Sequence, residues 1–239
     1  MTTVSQDLGN RLVSPKESGL DPALFVPLLR LLAEGEPVAL GDLAVASGHT
    51  IEQVRLALAA VPDTEYDEAG RIVGQGLTLR PTRHRFTVDG QELYTWCALD
   101  TLIFPALIET TATIESVSPA SGETVRVTAT PTAVTSVEPA GAVVSLINPE
   151  DLTSIRSAFC NQVHYFTSPE DAQAWLADHP GGEVVPVAEA YRLAADLVKQ
   201  MPGNLRVGAA AGTADDTAAC ATPQSAEPSG TAGRAHGCC

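Results

Sequence analysis

Hydrophobic positions recur with a helical period near the start of the chain. Leu24, Val26, Leu28, Leu29, Leu31 and Leu32 form a broad apolar face, which predicts a helix over 22–33. Asp21-Pro22 opens it well, because aspartate caps orphan N–H groups and proline suits the first helical position. Pro27 predicts a kink or a delayed start. A second, shorter helix reads over 40–47 and stops at Gly48. Thr50-Ile51-Glu52-Gln53 has the capping-box pattern and opens a third helix, with Ile51, Val54, Leu58 and Val61 facing inward. The period then shortens to two. One hairpin turns over 67–70, and a second turns at Asp89-Gly90 between strands at 85–88 and 92–94.

Three helices followed by hairpins make a winged-helix pattern, with helix-turn-helix over 40–60. Charge changes what that pattern implies. The 239 residues carry 14 Lys+Arg against 29 Asp+Glu, a formal net charge of −15, and phosphate binding runs on surplus cations. The would-be recognition helix over 51–60 offers Arg55 as its only cation and also carries Glu52. Arg80, Arg83, His84 and Arg85 form a local basic patch in an acidic setting. A structural use of the winged helix is therefore expected, with neither nucleic acid nor an anionic membrane as partner.

From residue 94 the pattern changes again. The run YTWCALDTLIFPALI over 94–108 is apolar nearly all round, which marks a buried helix. Four β-rich segments follow, at 111–115, 124–130, 134–138 and 143–147, with turns at Ser121-Gly122 and Ala140-Gly141; they predict an antiparallel meander. A helix over 149–158 leads to Cys160, a short strand spans 163–166, and helices read over 168–178 and 187–200. Residues 208–239 contain no Val, Ile, Leu, Met, Phe, Tyr or Trp, so they cannot offset their ordering entropy and are expected to be disordered. The fold class is α+β: a flexible start over 1–20, a winged-helix-like three-helix domain over 21–92, an antiparallel-sheet domain with surrounding helices over 93–207, and a cysteine-containing tail. Residues 1–12 hold no apolar run of the secretory kind, and the apolar stretch at 97–108 is too short and interrupted to span a bilayer. A cytoplasmic protein with reduced thiols is expected, and five cysteines cannot all pair within the chain.

Position separates these cysteines into two in the ordered part, Cys97 and Cys160, and three in the tail, Cys220, Cys238 and Cys239. Cys97 and Asp100 are three apart in the apolar helix and so share a face. Burial there raises a carboxyl pKa and lets it hold and release a proton, and a thiol beside a proton acceptor can become a thiolate. The plainer alternative is a buried free cysteine with an aspartate bonded to nearby backbone. A zinc reading would join Cys97 and Cys160 with His164 and Asp100, but no CxxC supports it. Two soft sulfurs and one oxygen suit a softer ion.

The block from Leu93 to Ile108, with its core WCALDTLIFPALI, resembles the signature of the organomercurial (alkylmercury) lyases, the MerB family. Other blocks are similar in the same order: FVPLLR at 25–30, TEYD at 64–67, GLTLR at 76–80, VEPAG at 137–141, and Phe159-Cys160 with Val163-His164. The resemblance runs from about 21 to 200. It implies a catalytic set of Cys97, Asp100 and Cys160, which would also hold the Hg(II) product, and a structural winged-helix part. Two departures, Ser118 and Asn161 where some relatives carry cysteine, fall outside that set. The implied reaction is protonolysis of a carbon–mercury bond to a hydrocarbon and Hg(II), in mercury detoxification, with no resident cofactor and with external thiols aiding product release. Asp100 would accept a thiol proton as the first Hg–S bond forms and deliver it to carbon after the second. Tyr94, Trp96, Phe104 and Phe159 flank the trio as candidate pocket residues for the organic group. Arg156, one turn before Cys160, is either a depressor of that thiol's pKa or a solvated surface cation.

Cys238-Cys239 resembles the vicinal pair with which mercuric reductases collect Hg(II). The segment from Val207 to Cys238 has an r.m.s. reach on the order of 30 Å as a flexible chain, enough to return to a site on a domain of this size. Transfer of Hg(II) from Cys97/Cys160 to the tail by thiol exchange, or its delivery to a mercuric reductase, is one expectation; general mercury buffering or no role is the other. Two further functional readings compete with the lyase: a winged-helix metal-responsive regulator, which the charge disfavours, and a non-catalytic thiol metal-binding protein, which has little use for Asp100.

Overall fold

The computed structural model describes residues 8, 11, 12 and 21–201. Helix α1, Pro22–Leu32, starts where Asp21 Oδ1 accepts the Ala23 N–H at 3.0 Å, and it runs unbroken through Pro27. An interior proline costs about 3 kcal/mol. Burying Leu24, Phe25, Leu28, Leu29 and Leu32 returns about 1.5–3 kcal/mol each, so the helix holds. Helix α2, Leu40–Ser47, ends at the left-handed Gly48, φ 70°. Helix α3, Ile51–Ala59, makes both capping-box bonds: Thr50 Oγ1 accepts the Gln53 N–H at 3.2 Å and Gln53 Oε1 accepts the Thr50 N–H at 2.8 Å. Val54, Leu58 and Val61 are buried, but Ile51 in the first turn is 49% exposed and does not join the inward face.

Eight strands follow: β1 Glu65–Tyr66, β2 Ile72–Gln75, β3 Leu77–Thr78, β4 His84–Val88, β5 Gln91–Thr95, β6 Ala112–Val117, β7 Thr124–Ala129 and β8 Val134–Glu138. They form one antiparallel sheet in the order β1-β2-β3-β5-β4-β6-β7-β8. The expected domain limit between 92 and 93 therefore falls inside β5. Because β4 pairs with β5 on one side and β6 on the other, the two halves share a sheet. The described residues belong to a single compact unit, and the expected tail over 208–239 lies outside them.

The fourth strand of the expected meander goes elsewhere. Strand β9, Val143–Leu146, is the centre of a second antiparallel sheet, between β10, Tyr165–Phe166, and β11, Glu183–Pro186. Pro139 supplies no N–H to continue the first ladder, and all four residues of β9 are buried, as a central strand requires. The helices expected over 149–158 and 168–178 shorten to α5, Ile155–Ala158, and α6, Gln173–Asp178. Local side-chain bonds win at their starts: Asp151 Oδ1 accepts the Thr153 N–H at 2.8 Å and Ser168 Oγ accepts the Asp171 N–H at 3.3 Å.

Helix α4, Ala98–Ile108, is shorter than the expected 94–108 because Tyr94 and Thr95 belong to β5. Nine of its eleven residues are buried, and it packs against α1 and against α7, Val187–Gln200. No helix among the described residues is long and apolar enough to cross a membrane.

Candidate functional site

The start of α4 builds half of the site. Trp96 donates its backbone N–H to Gly76 O at 2.8 Å, which ends β5, and Cys97 follows in extended conformation as the N-cap of α4. Cys97 and Asp100 are thus not simply two residues on one helical face. They form a reciprocal cap: Cys97 Sγ accepts the Asp100 N–H at 3.4 Å, and Asp100 Oδ2 accepts the Cys97 N–H at 3.1 Å. A helix N-terminus favours negative charge on both groups.

The other half comes from the segment after α5. Cys160 opens a single 3₁₀ turn, Cys160–Gln162, closed by the Val163 N–H on Cys160 O at 3.2 Å. Val163 O in turn accepts the Ala98 N–H at 3.0 Å, so backbone joins the two cysteine segments directly. The two sulfurs and an Asp100 oxygen all lie within 4.8 Å of one another. Cys97 is fully buried, Cys160 is 3% exposed, and both are free thiols.

Burial dominates the electrostatics. It pushes the Cys97 thiol well above its ordinary value, and the Cys160 and Asp100 neighbours push the same way. For Cys160 the hydrogen bond with Cys97 favours the thiolate. Burial and the carboxylates of Asp100 and Asp63 outweigh it, and Arg156 pulls weakly down, so the net direction is up. Desolvation raises Asp100 to about 6, against the lowering effect of its Cys97 hydrogen bonds. The resting site therefore holds two protonated thiols and a carboxyl group that gains and loses its proton near neutral pH.

A cavity of about 60 Å³ opens beside this trio. Asp100 and Cys160 line it together with Phe25, Leu99, Ile103, Phe104 and Phe159; Cys97 is not among its lining residues. Of the four aromatic candidates, the structure brings Phe104 and Phe159 to the cavity and not the other two. Tyr94 donates its hydroxyl to Glu92 Oε1 at 2.9 Å. Trp96 is buried beneath the Arg156 guanidinium, whose carbon lies 4.8 Å from the ring centroid. Arg156 is not the solvated cation considered above, since it also pairs with the buried carboxylate of Glu65.

His164 does not join the trio, which is the sole His/Cys/Asp/Glu grouping of its kind among the described residues. Its ring stacks on His84 with centroids 6.0 Å apart, and burial holds it to about 4. Cys220, Cys238 and Cys239 lie outside the described residues. Three wall residues, Phe25, Leu99 and Ile103, escape sequence reasoning because their apolar positions look like any other core position.

Comparison with known proteins bears on the family of the chain. The alkylmercury lyase family description matches residues 77–199, and the helix-turn-helix domain of alkylmercury lyase matches residues 3–76. The chain is 52% identical over 205 residues to an alkylmercury lyase of Streptomyces lividans, covering 84% of this chain and 95% of that one. It is 54% identical over 170 residues to an alkylmercury lyase of Bacillus cereus, covering 71% and 78%. Its fold is similar to the crystal structure of the mercury-bound form of MerB2, with a TM-score of 0.65, 25% identity, and 83% and 98% of the two chains covered. Two family matches that together span the sheet and the trio, and relatives about half identical over 78–95% of their length, leave one conclusion: the chain is an enzyme of the alkylmercury lyase family.

Proposed function

We propose that this enzyme cleaves the carbon–mercury bond of organomercurials by protonolysis, releasing a hydrocarbon and leaving Hg(II) on Cys97 and Cys160. The observation that carries the reading is the placement of two thiols and a proton-holding carboxyl within 4.8 Å at an apolar cavity.

The chemistry follows from the donor set. A substrate R–Hg–SR′ is soft at mercury and exchanges its thiolate ligand for a protein sulfur. One cysteine proton leaves with the displaced ligand as R′SH, and the other passes to the Asp100 carboxylate. With both sulfurs on mercury, electron density moves toward the bound carbon and the Hg–C bond weakens. Asp100 then gives its proton to that carbon. The electron pair of the Hg–C bond goes to the new C–H bond, R–H departs, and Hg(II) stays between the two sulfurs. The sum is R–Hg–SR′ plus two protein thiols, giving R–H, R′SH and the bis-thiolate product. Asp100 Oδ2 already accepts the Cys97 N–H, so Oδ1 is the oxygen assigned to carry the proton. The apolar walls from Phe104 and Phe159 accommodate R and exclude water, which keeps the carboxyl protonated until it acts.

Small thiols complete the cycle by taking Hg(II) from the cysteine pair, and in the cytoplasm a mercuric reductase is the fitting final acceptor within mercury detoxification. Incubation of the full chain with methyl- or phenylmercury and excess thiol tests the reading. Release of methane or benzene, stoichiometric with substrate lost, is expected; mercury binding without hydrocarbon release would leave a thiol metal-binding protein instead.

A further inference from the structure

Glu65 is a carboxylate 8% exposed in a short strand, and the chemistry above makes no use of it. Its Oε2 accepts the Thr78 hydroxyl and its Oε1 accepts the Arg156 guanidinium. Space has been kept for it. Gly74 stands across the ladder from Glu65, and a Cβ there would overlap Glu65 Oε2 and the Thr78 side chain. A second carboxylate, Asp63, reaches the same segment: Oδ2 accepts the Arg156 backbone N–H at 3.0 Å, and the carboxylate accepts the Ser154 hydroxyl at 2.9 and 3.1 Å.

These bonds converge on α5, the four-residue helix that delivers Cys160. A helix that short does not hold its own shape, and its N-cap residue Ser154 makes no side-chain cap. Asp63 caps it from outside. Glu65 pins the Arg156 head, and the guanidinium rests on Trp96, the residue immediately before Cys97. One half-buried network therefore touches both cysteine segments from the β1–β3 side of the sheet. The geometry points to Asp63 and Glu65, acting through Arg156, as positioning residues that hold the Cys160 sulfur within reach of Cys97 and Asp100. This inference rests on the reading that Cys160 supplies one of the two sulfurs to mercury.

The consequence differs from a loss of substrate binding. Cys97, Asp100 and the α4 wall residues Leu99, Ile103 and Phe104 keep their places, so binding of the organic group should largely persist although Phe159 moves with Cys160. The cleavage step, which needs both sulfurs on one mercury, should slow, since misplacement of a reacting group by about 1 Å costs on the order of 100-fold. The test uses the full chain with phenylmercury and excess thiol, comparing E65Q, D63N, R156Q and the double variant E65Q/R156Q. Glu65→Gln keeps the side-chain volume and the Thr78 bond while removing the ion pair.

The expected result is a fall in kcat of about 10- to 100-fold for E65Q and D63N with KM within about twofold. The double variant should be no worse than the poorer single one, because one network is being broken twice. The thiolate-to-mercury charge-transfer absorption of the bis-thiolate product, formed by adding Hg(II) alone, should weaken in parallel. Folded E65Q and D63N with unchanged kcat, or losses that multiply in the double variant, would overturn the inference. Should E65Q fail to fold, D63N, which touches only the α5 cap, decides the matter on the same readouts. C160S in the same assay keeps the two levels apart. Wild-type turnover by C160S defeats the underlying reading, whereas an inactive C160S beside fully active E65Q and D63N defeats the positioning role alone.

Discussion

Replacing Asp100 by asparagine should make the protein more stable and nearly inactive, and the two effects have one origin. Burial raises the Asp100 carboxyl from 3.8 to about 6. A carboxyl whose folded-state value lies above its unfolded value favours the fold while protonated. That contribution is fully present below 3.8 and is lost as the pH rises through about 6. At about 1.4 kcal/mol for each pH unit between those values, a charged Asp100 at pH 7.5 costs the fold ~3 kcal/mol, and its partial exposure trims this to about 2 kcal/mol. Asparagine never carries the charge, and its side-chain oxygen still accepts the Cys97 N–H that Oδ2 now accepts.

D100N should therefore gain about 2 kcal/mol over wild type at pH 7.5, or about 4–8 °C in Tm for a chain of this size. The gain should shrink steadily as the pH is lowered toward 4, where wild type is protonated too. Urea titrations at pH 7.5 and 4.5, followed by near-UV circular dichroism, measure both halves. Hydrocarbon release, assayed in parallel at pH 7.5, should fall by about 10²–10⁴, the range for loss of a general acid. A D100N protein that is no more stable than wild type at pH 7.5 would refute the burial argument. One that still releases benzene at the wild-type rate would refute the role of proton donor.

Other expectations follow from the same site. Cys97→Ser and Cys160→Ser should each abolish most hydrocarbon release, and each should lower the bound Hg(II) that survives gel filtration against small thiols. The kcat/KM profile should show an acid limb with a midpoint near 6, because below that pH Asp100 cannot take a thiol proton; a midpoint near 4 would place the titration elsewhere. Gly76→Ala should be destabilising by about 1–3 kcal/mol in thermal or urea unfolding. Gly76 has φ +74°, and a Cβ there would stand 2.7 Å from Phe104 Cζ. Because Phe104 lines the cavity, the same change should raise KM for phenylmercury more than for methylmercury.

The legible parts of this sequence were those with a local signal. Thr50-Gln53 states its own capping box, Asp89-Gly90 its own turn, and the run at 97–108 its own burial. The trio was legible through resemblance, whereas its geometry was not. Nothing in residues 94–97 announces that β5 continues to Thr95, since the end of that strand depends on the bond from Trp96 N–H to Gly76 O. The apolar pattern therefore places Cys97 inside a helix, whereas it caps one. The exit of β9 from the meander was equally hidden, because its partners at 165–166 and 183–186 are two- and four-residue strands with too few positions to show a period. Long-range pairing decided these features, and a single sequence carries no local record of it.

The same reasoning explains what the helix-turn-helix half contributes. As a DNA reader it is poorly equipped: Arg55, the single cation of α3, is paired with Glu52 at 2.9 Å. In the wing, Arg85 is shared between Glu92 and Glu115, and His84 is buried and held to about 3 by desolvation. As scaffold it is specific. It supplies Phe25 to the cavity wall, Gly76 O to stop β5 ahead of Cys97, and Asp63 and Glu65 to the segment that leads to Cys160. Each of these contacts crosses from the part matched as helix-turn-helix, residues 3–76, into the part matched as alkylmercury lyase, residues 77–199. Cutting the chain near 76 would divide the sheet between β2 and β3, which pair with each other, and would expose the apolar backs of both pieces. A fragment beginning at 77 should accordingly fail to hold Cys160 beside Cys97, however completely it retains Cys97, Asp100 and Cys160.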